Sequence, residues 1–185
     1  MRLFVALELS DAVRAAVRAL LDRLQPARAD VRWVRPEGMH LTLKFIGEVP
    51  EEKLAPIRQA LSTVQSAKPV TMEFRGLGYF PNQRRPRVLW VGIEASKNLA
   101  ALAAQMEAAL EPLGIARENR PFVPHLTLGR FKSSQRLEPL QKEIAALPST
   151  EVGRVETGEF FLFQSKLSPK GAEYTKLERF AFVRS

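Results

Sequence analysis

The chain has 185 residues, a net charge of +8 and no cysteine. That length allows a sizeable core, and 45% hydrophobic with 26% charged residues is a globular balance that excludes wholesale disorder. The missing cysteines exclude disulfides, thiolate zinc and thiol nucleophiles. The apolar opening Leu3–Leu7 is short and broken by Glu8 and Asp11, so a cytoplasmic protein without signal peptide or membrane span is expected.

Residues 2–9 read as a strand, and Ser10 or Asp11 can cap a helix striped by Val13, Val17, Leu20, Leu21 and Leu24. A short strand at 31–34 and the turn Pro36-Glu37-Gly38 lead to a longer strand, His40 to Val49. Glu51 to Val64 is predicted helical from Leu54, Ile57, Leu61 and Val64, with Pro56 tolerable only in the first turns. Residues 69–75 read as a strand, and Gly76, Gly78, Pro81, Asn82 and Pro86 mark a loop. A strand at 87–94 and a helix carrying Leu99, Leu102, Met106, Leu110 and Leu113 follow. Pro121 and Pro124 bracket a turn before the strand opened by His125. Leu137, Leu140, Ile144 and Leu147 then mark a helix, and two closing strands are predicted near 154–164 and 173–183 around the Ser168–Gly171 turn. Helices among mostly neighbouring strands predict an α+β class with antiparallel sheets. A doubly wound parallel sheet is the alternative, but the chain has no glycine-rich phosphate loop.

The two histidines of the chain, His40 and His125, each open the tetrapeptide His-Leu-Thr-Leu. The displacement of 85 that carries one onto the other also places Arg35-Pro36 on Arg120-Pro121 and Arg2–Val5 on Arg87–Trp90. The chain therefore reads as a single domain, 1–185, built from two copies of one unit, with equivalent motifs at 40–43 and 125–128. In a strand alternate residues share a face, so His40 with Thr42, and His125 with Thr127, point away from the leucines between them. Two lobes related by an approximate twofold would set these pairs across a cleft, with two imidazoles flanking one small anion. Histidine titrates near neutrality, so one ring can accept a proton while the other donates one, and the threonines and a nearby cation hold the phosphate. Arg130 is the candidate cation, its fork matching phosphate geometry; a solvated strand-edge arginine is the alternative. Tyr79 and Phe80, followed by Arg84, Arg85 and Arg87, combine rings with positive charge and are candidate RNA contacts. The net positive charge agrees with a nucleic-acid partner. Zinc would need three or four protein ligands, and no third histidine or cysteine exists, so neither metal nor other cofactor is expected.

These motifs resemble the double His-x-Thr-x signature of the 2H phosphoesterases, and most closely the RNA 2′,3′-cyclic phosphodiesterases, also called 2′-5′ RNA ligases. The resemblance extends to Arg2–Leu7, His40–Gly47, Pro124–Arg130, and Leu167–Gly171 with Tyr174. It implies a bilobal α+β fold with helices outside and a central cleft. It also implies hydrolysis of a 2′,3′-cyclic phosphate at an RNA 3′ end to a 2′-phosphate, reversible as 2′-5′ ligation. His40 would be the proton donor, His125 the acceptor, and Thr42 and Thr127 the phosphate holders. Two alternatives remain: a module that grips RNA ends without turnover, and an enzyme of the same superfamily acting on a small cyclic nucleotide. A monomer is expected, since no heptad run or long apolar helix is evident.

Overall fold

The computed structural model describes residues 1–183. In chain order the elements are β1 (Arg2–Glu8), α1 (Asp11–Leu24), β2 (Val31–Trp33), β3 (His40–Glu48), α2 (Leu54–Leu61), β4 (Val70–Phe80), β5 (Val88–Ala95), α3 (Asn98–Leu110), β6 (His125–Phe131), α4 (Leu137–Ala145), β7 (Glu151–Thr157), β8 (Glu159–Ser168) and β9 (Gly171–Ala181). They form two antiparallel sheets, ordered β3-β1-β8-β9 and β2-β6-β5-β4-β7, which is the α+β architecture. The order β3-β1-β8-β9 repeats as β6-β5-β4-β7, and β2 is added at the outer edge of the second sheet.

Local signals account for most boundaries. Ser10 caps α1, its hydroxyl accepting the Val13 N–H at 3.2 Å, and Val13, Val17, Leu21 and Leu24 are buried along one stripe. The helix expected from Glu51 begins as a single 3-10 turn, and α2 proper starts at Leu54, which leaves Pro56 in its first turn.

Two expectations change. Residues 76–80 are not a loop: β4 runs on to Phe80. Gly76 supplies a positive φ of 79° where the β4–β5 ladder slips, and the strand continues past it. The stretch expected as one strand at 154–164 is two strands, β7 and β8, which separate at Gly158 and belong to different sheets.

One core joins both sheets and all four helices. The helices cross over between the halves: α1, which follows β1 of the first sheet, packs on β7 of the second, and α3, which follows β5 of the second, packs on β3 of the first. The opposite face of the first sheet carries a separate cluster, Phe4, Ala6, Phe161 and Phe163, to which no helix contributes a residue among the described residues. The sheets meet where β3 contacts β6, so their helix-free faces border a common groove. Among the described residues no helix is long and apolar enough to cross a membrane.

Candidate active site

Both His-Leu-Thr-Leu segments have the same construction. Leu41 and Leu43, like Leu126 and Leu128, are buried, whereas His40, Thr42, His125 and Thr127 are half-buried. In β3 the partners of Thr42 and Lys44 on β1 are the consecutive residues Ala6 and Val5, so Leu43 is a bulge. In β6 the partners of Thr127 and Gly129 on β5 are Trp90 and Leu89, so Leu128 is a bulge at the equivalent position. A bulge shifts the alternation by one residue. Lys44 and Gly129 therefore turn inward, and Phe45 and Arg130 turn to the face that carries the histidines. Without the bulge Arg130 would point into the core.

These pairings also correct the repeat register. Glu8 lies opposite His40 and Gly92 opposite His125; Phe4 opposite Phe45 and Val88 opposite Arg130. The β1 and β5 strands thus superpose one residue out of step with the histidine motifs, with Phe4 matching Val88 rather than Leu89.

His40 sits in an aromatic wall. Its ring centroid is 4.4 Å from Phe163, 5.4 Å from the edge-on Tyr174 ring and 6.0 Å from Phe4. Burial lowers its pKa from 6.5 to about 4, assisted by the nearby Arg14 and Lys176 and opposed by Glu8 and a hydrogen bond to the Gly38 backbone. Arg14 also holds the preceding turn, donating to the carbonyls of Pro36 at 2.6 Å and Glu37 at 3.2 Å. Lys176 is ion-paired with Glu8.

A folded pKa below the unfolded value means that the unfolded chain binds the extra proton first. The neutral ring's contribution to stability is fully present above about pH 6.5 and is lost as pH falls towards 4. The shift corresponds to about 3 kcal/mol at most, and to about 1–2 kcal/mol after solvent screening of a partly exposed ring. Denaturant unfolding from pH 7 to pH 4 is expected to show this loss in the native protein and a flatter profile in His40→Gln. Identical profiles would contradict the burial of this ring.

On the other side, His125 Nδ1 lies 3.0 Å from the Val123 carbonyl. A carbonyl only accepts, so Nδ1 carries the proton and Nε2 is left with the lone pair in the neutral ring. Gly38 and Val123 each stand two residues before their histidine, so both rings are tethered to backbone at the same relative place. Phe80 meets His125 edge-on at 5.2 Å and Trp90 at 5.1 Å. The Trp90 indole lies across Gly78, where any Cβ would run into its ring.

The expected site residues thus divide. His40, Thr42, His125, Thr127, Arg130 and Phe80 are on the groove faces. Tyr79 is not: it lies opposite the fully buried Leu89, packs towards the core and has Phe131 at 6.3 Å, because it alternates with Phe80 along β4. Arg84 and Arg85 are exposed on the β4–β5 loop, where the Asn82 side chain accepts both of their N–H groups at 3.0 Å. An open hollow at this loop is lined by Asn82, Gln83, Arg84, Arg85, Leu137 and Gln141 rather than by either histidine. Arg87 closes the hairpin, its N–H on the Phe80 carbonyl at 2.6 Å and its carbonyl accepting from Phe131 at 2.9 Å. The sequence reading missed Phe45, 51% exposed under the Arg2 guanidinium, and the aromatic wall of Phe4, Phe163 and Tyr174. Phe45 could have been found, since the displacement between the motifs carries it onto Arg130.

The LigT-like phosphoesterase family matches the chain twice in succession, over residues 7–90 and 91–174. This chain belongs to that family. The LigT-like assignment agrees with the two sheets of equal strand order. Among its relatives are the RNA 2′,3′-cyclic phosphodiesterases of Methanothermobacter thermautotrophicus, 37% identical over 180 residues and 97% of both chains, and of Archaeoglobus fulgidus, 41% identical over 181 residues, 97% of this chain and 99% of the relative. The crystal structure of E. coli LigT complexed with 3′-AMP superposes with a TM-score of 0.79 at 27% identity, covering 99% of this chain and 98% of that one. The LigT-like fold therefore covers nearly all of the described residues.

Proposed function

We propose that this LigT-like phosphoesterase hydrolyses RNA 2′,3′-cyclic phosphate ends to 2′-phosphomonoesters by metal-independent acid–base catalysis between His40 and His125. The observation that carries this reading is the duplicated strand. In each half the strand alternation of His-x-Thr presents an imidazole and a hydroxyl on the groove face, with the ring held by a backbone carbonyl, and the bulge that follows turns Phe45 or Arg130 to that same face. Relatives named RNA 2′,3′-cyclic phosphodiesterase, at 37% and 41% identity over nearly the whole chain, support the choice of substrate.

In the forward step His125 Nε2 takes a proton from water, whose oxygen forms a bond to phosphorus. The bond from phosphorus to O3′ breaks, and His40 delivers its proton to O3′. The product carries a 2′-phosphate and a free 3′-hydroxyl. Thr42 and Thr127 donate hydrogen bonds to the non-bridging oxygens, and Arg130 offsets their growing charge. In the free site His40 is neutral at pH 7, its pKa held near 4. The negative charge of the incoming phosphate opposes Arg14 and Lys176 and raises the pKa of the ring, so the substrate itself arms the acid. A 5′-hydroxyl in place of water, taken through the same steps, gives a 2′-5′ linkage, and the reverse of those steps returns the cyclic phosphate and the 5′-hydroxyl. Phe80, Arg84, Arg85 and Arg87 would border the RNA near its end. The protein would act as a cytoplasmic monomer without a cofactor.

The test is incubation with a short RNA ending in a 2′,3′-cyclic phosphate, with and without chelator. A 2′-phosphate product at the same rate in both is expected. A 3′-phosphate, loss of turnover in chelator, or binding without product would each overturn the proposal.

A further inference from the structure

Arg32 and Arg130 oppose each other directly in the β2–β6 ladder. Directly opposed residues in an antiparallel pair leave the same face of the sheet, with Cβ atoms about 5 Å apart. Val31 and Trp33, on either side of Arg32, pack against Gly129 and the core, so Arg32 projects to the groove face with Arg130. Both arginines are exposed, and neither has an acidic partner among the described residues. Like charges placed directly opposite destabilise a sheet. On the facing sheet Lys176 is neutralised by Glu8 and Arg179 by Glu159, while the Arg2 guanidinium lies over the Phe45 ring. An unneutralised arginine pair on the sheet face that carries His125 and Thr127 is the arrangement that an anionic ligand, rather than the fold, makes favourable.

The strand order decides which anion each one takes. β6 carries His125 and Thr127 together with Arg130, and β2 lies one strand further out, at the edge of the sheet. Arg130 is therefore the nearer to the reacting phosphate. Arg32 starts beside it, one strand further from His125 and Thr127. Two long guanidinium side chains that start side by side can splay to span successive phosphates of one strand.

We propose that Arg32 binds the phosphodiester immediately upstream of the cyclic end and so makes the enzyme favour an RNA terminus over a free nucleoside 2′,3′-cyclic phosphate. This rests on the RNA-end hydrolase reading above and adds to it a residue that sets substrate length.

The experiment compares kcat/KM on a nucleoside 2′,3′-cyclic phosphate with kcat/KM on a short RNA bearing the same terminal nucleotide, for the wild type and for Arg32→Gln. The wild type is expected to favour the RNA, and Arg32→Gln to lower the RNA-to-mononucleotide ratio about tenfold, as for one lost contact of about 1.4 kcal/mol. The slope of log kcat/KM on the RNA against log salt should become shallower by about 0.7, the value for one phosphate contact on a single strand. Arg32→Lys should recover part of the ratio. Because removing one of two opposed like charges relieves repulsion, the melting temperature of Arg32→Gln should not fall, which checks the fold. An unchanged ratio, whether both substrates slow together or neither does, would overturn the role of Arg32 while leaving the hydrolase reading intact. A wild-type protein that turns over neither substrate would overturn both.

Discussion

His40→Ala and His125→Ala are each expected to lower kcat/KM on a 2′,3′-cyclic phosphate end by about a thousandfold or more, with the fold retained. A positioned proton transfer is typically worth about 10²–10⁴ in rate, and each substitution removes one transfer outright. Neither ring is needed to close the main core: both sit half-buried on groove faces, outside the cluster that joins the sheets and helices. His40 does pack against Phe4 and Phe163, so its alanine variant should lose somewhat more stability than that of His125. Steady-state kinetics beside thermal melts would check both points. A folded variant that keeps activity within tenfold of the wild type would remove that histidine from the mechanism.

The second large effect is structural. Lys44, turned inward by the bulge at Leu43, is only 4% exposed. Its ammonium donates to Glu107 on α3 at 2.9 Å and to the Ala116 carbonyl at 2.7 Å. Glu107 in turn accepts the Glu118 N–H at 3.2 Å, so the pair ties the first motif's strand to the segment that leads into the second. Breaking a buried pair by removing one partner costs about 3–5 kcal/mol, because a charge is left uncompensated. Glu107→Ala strands the ammonium and is expected to lower stability by about that amount, and the melting temperature by about 10 °C for a domain of this size. Lys44→Met should cost less, since Glu107 is nearer solvent, its side chain 18% exposed, and keeps its bond from Glu118. Denaturant titration of the two variants gives the comparison; equal losses would show that the buried charge is not what sets the cost.

The duplicated motif was legible because it needs only two signals, alternation in a strand and repetition along the chain. His40, Thr42, His125 and Thr127 follow from these alone, and the sequence of strands and helices from periodicity and caps such as Ser10. What was not legible depends on pairing between strands distant in sequence. The bulges at Leu43 and Leu128 leave no local trace, yet they decide that Arg130 faces the groove and Lys44 the core. The register between β1 and β5 was hidden by the connection to the histidine, which is one residue longer from Gly92 to His125 than from Glu8 to His40. Tyr79 and Phe80 are adjacent aromatics, and only the continuation of β4 through Gly76 and Gly78 determines that Phe80 meets His125 while Tyr79 turns inward. Glycine reads as a loop signal locally; here Gly78 is the space into which the Trp90 ring fits. The wall around His40 gathers Phe4, Phe163 and Tyr174 from three different strands, a grouping that only the sheet order β3-β1-β8-β9 creates.

In the proposed mechanism the two imidazoles work on one phosphorus atom as a unit. The double variant His40→Ala/His125→Ala measures that directly through kcat/KM on the cyclic-phosphate RNA. Residues acting in one concerted event lose their value together, so the double variant is expected to be about as slow as the slower single variant. Losses that multiply, as for two independent sites, would contradict it.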